Sequence, residues 1–175
     1  MSPNLLELRK IAETLKVAPE IESNLKVENI RTDDDERKVF EEINELCDEL
    51  QEFIENIIVT VGSFGVFIQR LRRNEGTKFF ANNMAYIEGG DGTSGCRRYP
   101  GKSIENIVNA SGAGDAFCAG FITAMLKGEP EEICVSVGSQ AAFCALMSKR
   151  AVPKTFFDLN HSSWSTPAAF HHPNH

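Results

Sequence analysis

Asn109-Ala110-Ser111-Gly112-Ala113-Gly114-Asp115-Ala116-Phe117 sets small residues directly before an acid and then opens an apolar run. Small residues let a backbone come close to another group. A small-residue turn entering a helix leaves several N–H groups facing one point, where free donors and the positive helix end hold an anion. Asp115, in the first turn, could accept a proton from an alcohol being phosphorylated beside those amides. A glycine-rich turn followed by an acid also stabilises any helix, and in isolation the motif fits that reading at least as well.

A second stretch, Thr60-Val61-Gly62-Ser63-Phe64-Gly65, follows the apolar run Ile57-Ile58-Val59. Its loop would sit at the carboxyl end of a strand, the edge at which open α/β sheets bind ligands. Two such loops could wall one nucleotide site. Gly101-Lys102-Ser103 imitates the end of a P-loop, but five residues separate it from Gly95 where that motif has four. Those residues, Cys96-Arg97-Arg98-Tyr99-Pro100, are also too bulky and stiff to curl on phosphate, so this match is rejected.

The elements that must carry these loops alternate. Leu5, Leu8, Ile11, Ala12 and Leu15 predict a helix over 5–16, and Val39, Ile43, Leu46, Leu50 and Phe53 predict another over 36–54. Between them lies a polar, turn-rich segment in which Asp33-Asp34-Asp35 reads as a solvated run. Residues 57–61 read as a strand buried on both faces, as in a parallel sheet, and 66–71 as a returning strand. Residues 72–103 read as a long surface loop with one short strand near 84–87, and 104–109 as a strand leading into the glycine motif. Helices are expected over about 113–127, burying Phe117, Phe121, Ala124 and Met125, and over 131–147. Residues 160–175, rich in Ser, Pro and His, read as a flexible tail. The alternation points to an α/β fold.

Bulk properties narrow the function. The chain has 175 residues, 42% of them hydrophobic, enough for one domain with a core. A net charge of -7 offers no overall basic field to nucleic acid or an anionic membrane. Five cysteines without a CxxC pair fit reduced thiols in a cytosolic protein, and Cys118, Cys134 and Cys144 read as core thiols. The opening MSPNLLELRK lacks a signal-peptide core, and no run approaches the ~20 apolar residues of a membrane span. A soluble, cytoplasmic protein is expected. His161, His171, His172 and His175 gather only in the tail, where Trp164 serves as an anchor.

Residues 109–117 resemble the carboxyl-terminal signature of the ribokinase (PfkB) family of carbohydrate and nucleoside kinases. Thr60-x-Gly62-x-x-Gly65 is similar to the family's nucleotide loop, and Asn4-Leu5-Leu6-Glu7 to its NxxE motif. The three stand in the family's order, over roughly residues 2–158. Asn in place of the usual first Asp, with Ala141-Ala142, Ser148 and Ala151-Val152 downstream, looks most like pseudouridine kinases. The resemblance implies a ribokinase-like three-layer α/β/α fold and ATP-dependent phosphorylation of a sugar or nucleoside hydroxyl. Asp115 would be the base, with the amides of Gly112, Ala113 and Gly114 as the anion hole. Thr60, Gly62, Ser63 and Gly65 would line the ATP site, with Ser139 or Gln140 near adenine. Asn4 and Glu7 would act through magnesium and its waters. Asn109 is carried over, with Glu7, as a metal-site position, but Asn109 and Ala110 stand where many relatives have an Asp-Thr pair supporting a monovalent cation, which puts potassium activation in doubt.

Family members are considerably longer. The chain resembles only the carboxyl-terminal portion, residues 1–159, without the lid and the substrate-binding front half. A half-sheet leaves an apolar edge that invites a second copy or a complementing chain. The alternative is a catalytically inactive nucleotide-binding remnant that acts by binding or oligomerising.

Overall fold

The computed structural model describes residues 3–17, 26–54, 56–70 and 95–171. They fall into two compact units, one reaching from the amino terminus through Gly101 and one beginning at Lys102.

In the first unit, helix α1 (Leu5–Leu15) buries Leu5, Leu8 and Ala12, and Lys16 closes it in the left-handed conformation. Helix α2 (Asp33–Leu50) starts three residues before the predicted position. Thr32 and Asp35 form a reciprocal cap, and Asp33, Asp34 and Asp35 occupy the first turn, where the positive helix end favours acids. The acidic run is thus a helix start, not a loop. Apolar periodicity could not reveal this, because the cap precedes the first buried residue, Val39. The helix also ends at Leu50 rather than 54. The amides of Phe53 and Ile54 both turn back to the Leu50 carbonyl, and Phe53 is exposed. The two helices are tied by Arg9 and Glu42, joined through two bonds of 2.6 and 2.8 Å.

Strands β1 (Asn56–Thr60), β2 (Gly65–Arg70) and β3 (Gly95–Pro100) form a sheet in that order. Both pairings are antiparallel, with Ile58 opposite Ile68 and Phe67 opposite Arg98. The returning strand expected at 66–71 is thus the antiparallel partner of β1, and the parallel neighbour expected for β1 is reduced, among the described residues, to a bridge at Thr60. The only chain between β1 and β2 is Val61 and a 3-10 turn at Gly62–Phe64, far too short for a parallel crossover. Every residue of the central strand β2 is buried, and Ile57, Val59 and Phe67 share one core with the buried faces of α1 and α2. Cys47 and Cys96 lie in that core, and burial pushes the Cys47 thiol well above the ordinary range. Strand β3 escaped the sequence reading because its apolar pattern is broken by two arginines. Arg97 is buried with its guanidinium on the Tyr99 hydroxyl, while Arg98 lies over the Phe40 ring and pairs with Glu36. The two point to opposite faces of the sheet, as neighbours on a strand must. The strand expected near 84–87 lies outside the described residues.

The second unit is built on an antiparallel helix pair, α3 (Ala113–Leu126) and α4 (Glu131–Leu146). Phe117, Phe121 and Ala124 are buried as expected, and Met125 is half-buried. The helices touch through glycines. A Cβ on Gly120 would come within 2.9 Å of the Val137 carbonyl, and one on Gly138 within 2.9 Å of the Phe117 carbonyl. Cys134 is buried, Cys118 and Cys144 half-buried. Residues 104–109 are not a strand. Ile107 and Val108 are half-exposed, and the amides of Val108 and Asn109 bond to the Leu146 carbonyl instead of a strand partner. After α4 the chain returns along it: Phe157 packs on Ala116, Ala141 and Ala145, and the Ala168 amide reaches the Glu132 carbonyl. No described helix is long and apolar enough to cross a membrane.

Candidate functional site

In the first unit the structure brings the Asn4–Glu7 motif to the end of β1. The Asn4 side chain accepts from the Glu7 amide at 3.0 Å, and the Glu7 carboxylate accepts from the Asn4 amide at 2.9 Å. This reciprocal cap starts α1. The Thr60 amide donates to the Pro3 carbonyl at 3.0 Å, and Asn4 pairs with Thr60 in a parallel bridge. The amino end of α1 therefore stands beside the loop that opens after Thr60.

That loop is held by backbone geometry. Gly62 and Gly65 have positive φ, +56° and +101°, and the Val61 amide bonds the Gly65 carbonyl at 2.8 Å. A Cβ on Gly65 would overlap the Tyr99 carbonyl and the Gly101 amide, while one on Gly101 would overlap the Ser63 carbonyl. Gly101, rejected as part of a P-loop, thus lets the end of β3 close against the turn. Gly62 and Ser63 are exposed.

In the second unit the glycine motif is anchored from behind. The Leu146 carbonyl, one of the helix-end acceptors without an internal partner, takes the Val108 amide at 2.9 Å and the Asn109 amide at 3.1 Å. The Asn109 side chain then accepts from the Ser111 amide at 3.0 Å, tightening the turn. Gly112 follows at φ +80°, where a Cβ would run into the Ala151 carbonyl. Leu146 and Ala151 were not legible as parts of this site, since neither carries a reactive side chain.

Gly112 stands at the N-cap of α3 and offers no side chain to its first turn. The Ala113 amide has a long bond of 3.4 Å to Ala110, and the amides of Gly114 and Asp115 have no acceptor one turn back. Gly114 is exposed, and a Cβ there would meet nothing within 4 Å. Asp115 is exposed beside it. The arrangement offers open donors, the positive end of a helix of 14 residues, and a carboxylate in the same turn. Ser139 is exposed on α4. Gln140 is half-buried, its amide 3.8 Å from the Cys144 sulfur. Both lie about 10 Å along the helix from Leu146.

Among the described residues no group of three His, Cys, Asp or Glu could hold a metal ion. A magnesium ion would have to rest on one carboxylate, water and substrate oxygens, which its chemistry permits. Glu7 fits that use, being exposed and engaging the Asn4 amide through a single oxygen. The Asn109 side-chain oxygen already serves Ser111.

The model of the pfkB family carbohydrate kinases matches residues 3–154. No curated protein matches the chain. Among solved structures, it is similar to a ribokinase from Thermotoga maritima at 19% identity and a TM-score of 0.49, covering 87% of this chain and 38% of that one. It is similar also to a probable sugar kinase from Rhizobium etli, at 19% identity and a TM-score of 0.48, covering 70% and 31%. The chain thus spans about a third of the length of these kinases. The family match covers most of the sequence and all three motifs, and its fold is the ribokinase-like α/β fold expected above: the chain belongs to the PfkB family of carbohydrate kinases.

Proposed function

We propose that this chain carries the nucleotide side and the catalytic base of an ATP-dependent kinase acting on a sugar or nucleoside hydroxyl, with pseudouridine as the finer candidate. The observation that carries the reading is the first turn of α3: a side-chain-free cap, an exposed glycine with open space above it, and Asp115 alongside. The amides of Gly112, Ala113 and Gly114 face the transferring phosphoryl group and stabilise the charge that develops on it. Asp115 takes the proton of the acceptor hydroxyl as its oxygen attacks the terminal phosphorus. Thr60, Gly62, Ser63 and Gly65 border the nucleotide, and Ser139 and Gln140 face adenine. Glu7 and Asn4 would hold magnesium through its waters, and the ion would supply charge neutralisation at the phosphates. Asn109 is a neutral amide where relatives carry a carboxylate, which weakens the case for a potassium site.

A second reading follows from the chain's span of a third of the solved kinases: a nucleotide-binding remnant that completes its sheet with a second copy or a complementing chain. The two separate in one experiment. Magnesium-ATP is titrated into the 175-residue chain by calorimetry, and phosphate transfer to a panel of sugars and nucleosides is followed with labelled ATP. The kinase reading expects nucleotide binding, with turnover appearing when the chain is complemented and vanishing in Asp115→Asn. Binding with no turnover under any complementation establishes the remnant, and absence of binding overturns both.

A further inference from the structure

A structured strap lies beyond the catalytic motifs. Residues 157–168 run back along α4, from Phe157 on Ala141 and Ala145 to the Ala168 amide on the Glu132 carbonyl, 3.0 Å away. At its middle a 3-10 turn, Ser162–Trp164, is capped by His161. The His161 Nδ1 accepts from the Ser163 amide at 3.2 Å and lies 3.0 Å from the Ser163 hydroxyl. Ser163 is buried, so its amide has little water to fall back on. The imidazole meets Phe157 at a tilt of 55° with centroids 5.1 Å apart, and Phe157 in turn meets Trp164 at 6.5 Å. One ring therefore joins the cap to the aromatic contacts that seat the strap.

An acceptor at Nδ1 requires a neutral ring with its proton on Nε2. When Nδ1 is protonated, the hydroxyl of Ser163 can rotate to accept, but the Ser163 amide loses its acceptor and faces a donor. Among the described residues, charged groups lie on the elements around the imidazole. Lys127 has its ammonium 5.6 Å from the Trp164 ring centre, Glu131 and Glu132 occupy the first turn of α4, and the Asp158 carboxylate is engaged by the Asn160 amide at 2.8 Å. We propose that His161 is a protonation-sensitive latch, favouring the seated position of residues 157–168 on α4 about fivefold more strongly while its ring is neutral than when the ring is charged.

Trp164 is the single tryptophan and half-buried, so its emission reports the strap alone. The 175-residue chain is titrated between roughly pH 8 and pH 5, the window in which imidazoles change charge. Emission maximum, acrylamide quenching and far-ultraviolet circular dichroism are read together. The expected result is a red shift and easier quenching at low pH, with the docked-to-released ratio falling about fivefold, the worth of one lost cap, while the helix signal holds. In His161→Asn, which keeps a capping oxygen that does not titrate, Trp164 stays seated across the range. In His161→Ala, which lacks the cap at every pH, emission and quenching stay near the low-pH wild-type values across the range. A wild-type emission that does not move, an Asn variant that shifts in parallel with wild type, or a helix signal lost in step with the emission each overturns the proposal.

Discussion

Gly112 and Gly114 stand two residues apart, and replacing each by alanine should change the protein in opposite directions. At Gly112 the backbone is left-handed, at φ +80°, and a Cβ would overlap the Ala151 carbonyl. The conformation costs an alanine about 1–2 kcal/mol, and overpacking adds about as much again, so Gly112→Ala should lose about 2–4 kcal/mol. Gly114 lies in helical backbone with open space where a Cβ would go. Alanine there should raise stability by about 0.5–1 kcal/mol, by restricting the unfolded chain and favouring helix. The fold therefore gains nothing from glycine at 114, whereas a ligand pressed onto the amides would. Urea unfolding followed by circular dichroism measures the first effect, and calorimetric titration with magnesium-ATP the second. Gly114→Ala should be the more stable protein and yet bind nucleotide about tenfold or more weakly, as expected when one charge-assisted bond is lost. A Gly114→Ala variant that gains stability and binds as well as wild type would refute the anion-hole reasoning. One that loses stability would refute the open geometry itself.

Asp115→Asn, an exposed and nearly isosteric change, should cost no more than the helix-end contribution of about 0.3–1 kcal/mol in urea unfolding while removing turnover in the complemented enzyme. Arg9→Ala takes the two-bond partner from the buried carboxylate of Glu42 and should cost about 2–3 kcal/mol in urea unfolding, less being lost if Glu42 is replaced by Gln in the same chain. Gly138→Ala would drive a methyl against Phe117 and should cost about 1–3 kcal/mol, detectable as a lower thermal midpoint. The hydrogen bond with Thr32, then that from the Arg31 amide, holds the Asp35 carboxyl below its ordinary 3.8. Its contribution is complete above that value and lost as pH falls through the lower folded one, so Asp35→Asn should flatten the acid side of the stability profile below about pH 4.

Much of the frame was legible because burial and periodicity coincide. Leu5, Leu8 and Ala12 mark α1, and Phe117, Phe121 and Ala124 mark α3, each recurring at helical spacing on a face that is in fact buried. The misreadings arose where backbone chemistry decides. Asp33, Asp34 and Asp35 belong to a helix through a cap at Thr32, and the apolar run of β1 pairs antiparallel because the following turn is short. Strand β3 hides behind Arg97 and Arg98, whose burial depends on Tyr99, Phe40 and Glu36, residues no local pattern connects. At the candidate site the glycines and Asp115 stood out by type. Their supports, the carbonyls of Leu146 and Ala151, are backbone atoms that any residue could supply.

The contact between Gly65 and Gly101 ties together two positions that lie far apart in the chain. A side chain at either one collides with main-chain atoms of the other's neighbourhood, so no single compensating substitution can restore the fit. Divergence at this junction would need a shift of both strand ends at once. The two codons should therefore stay fixed as a couple, or change only together with the shape of the turn they enclose.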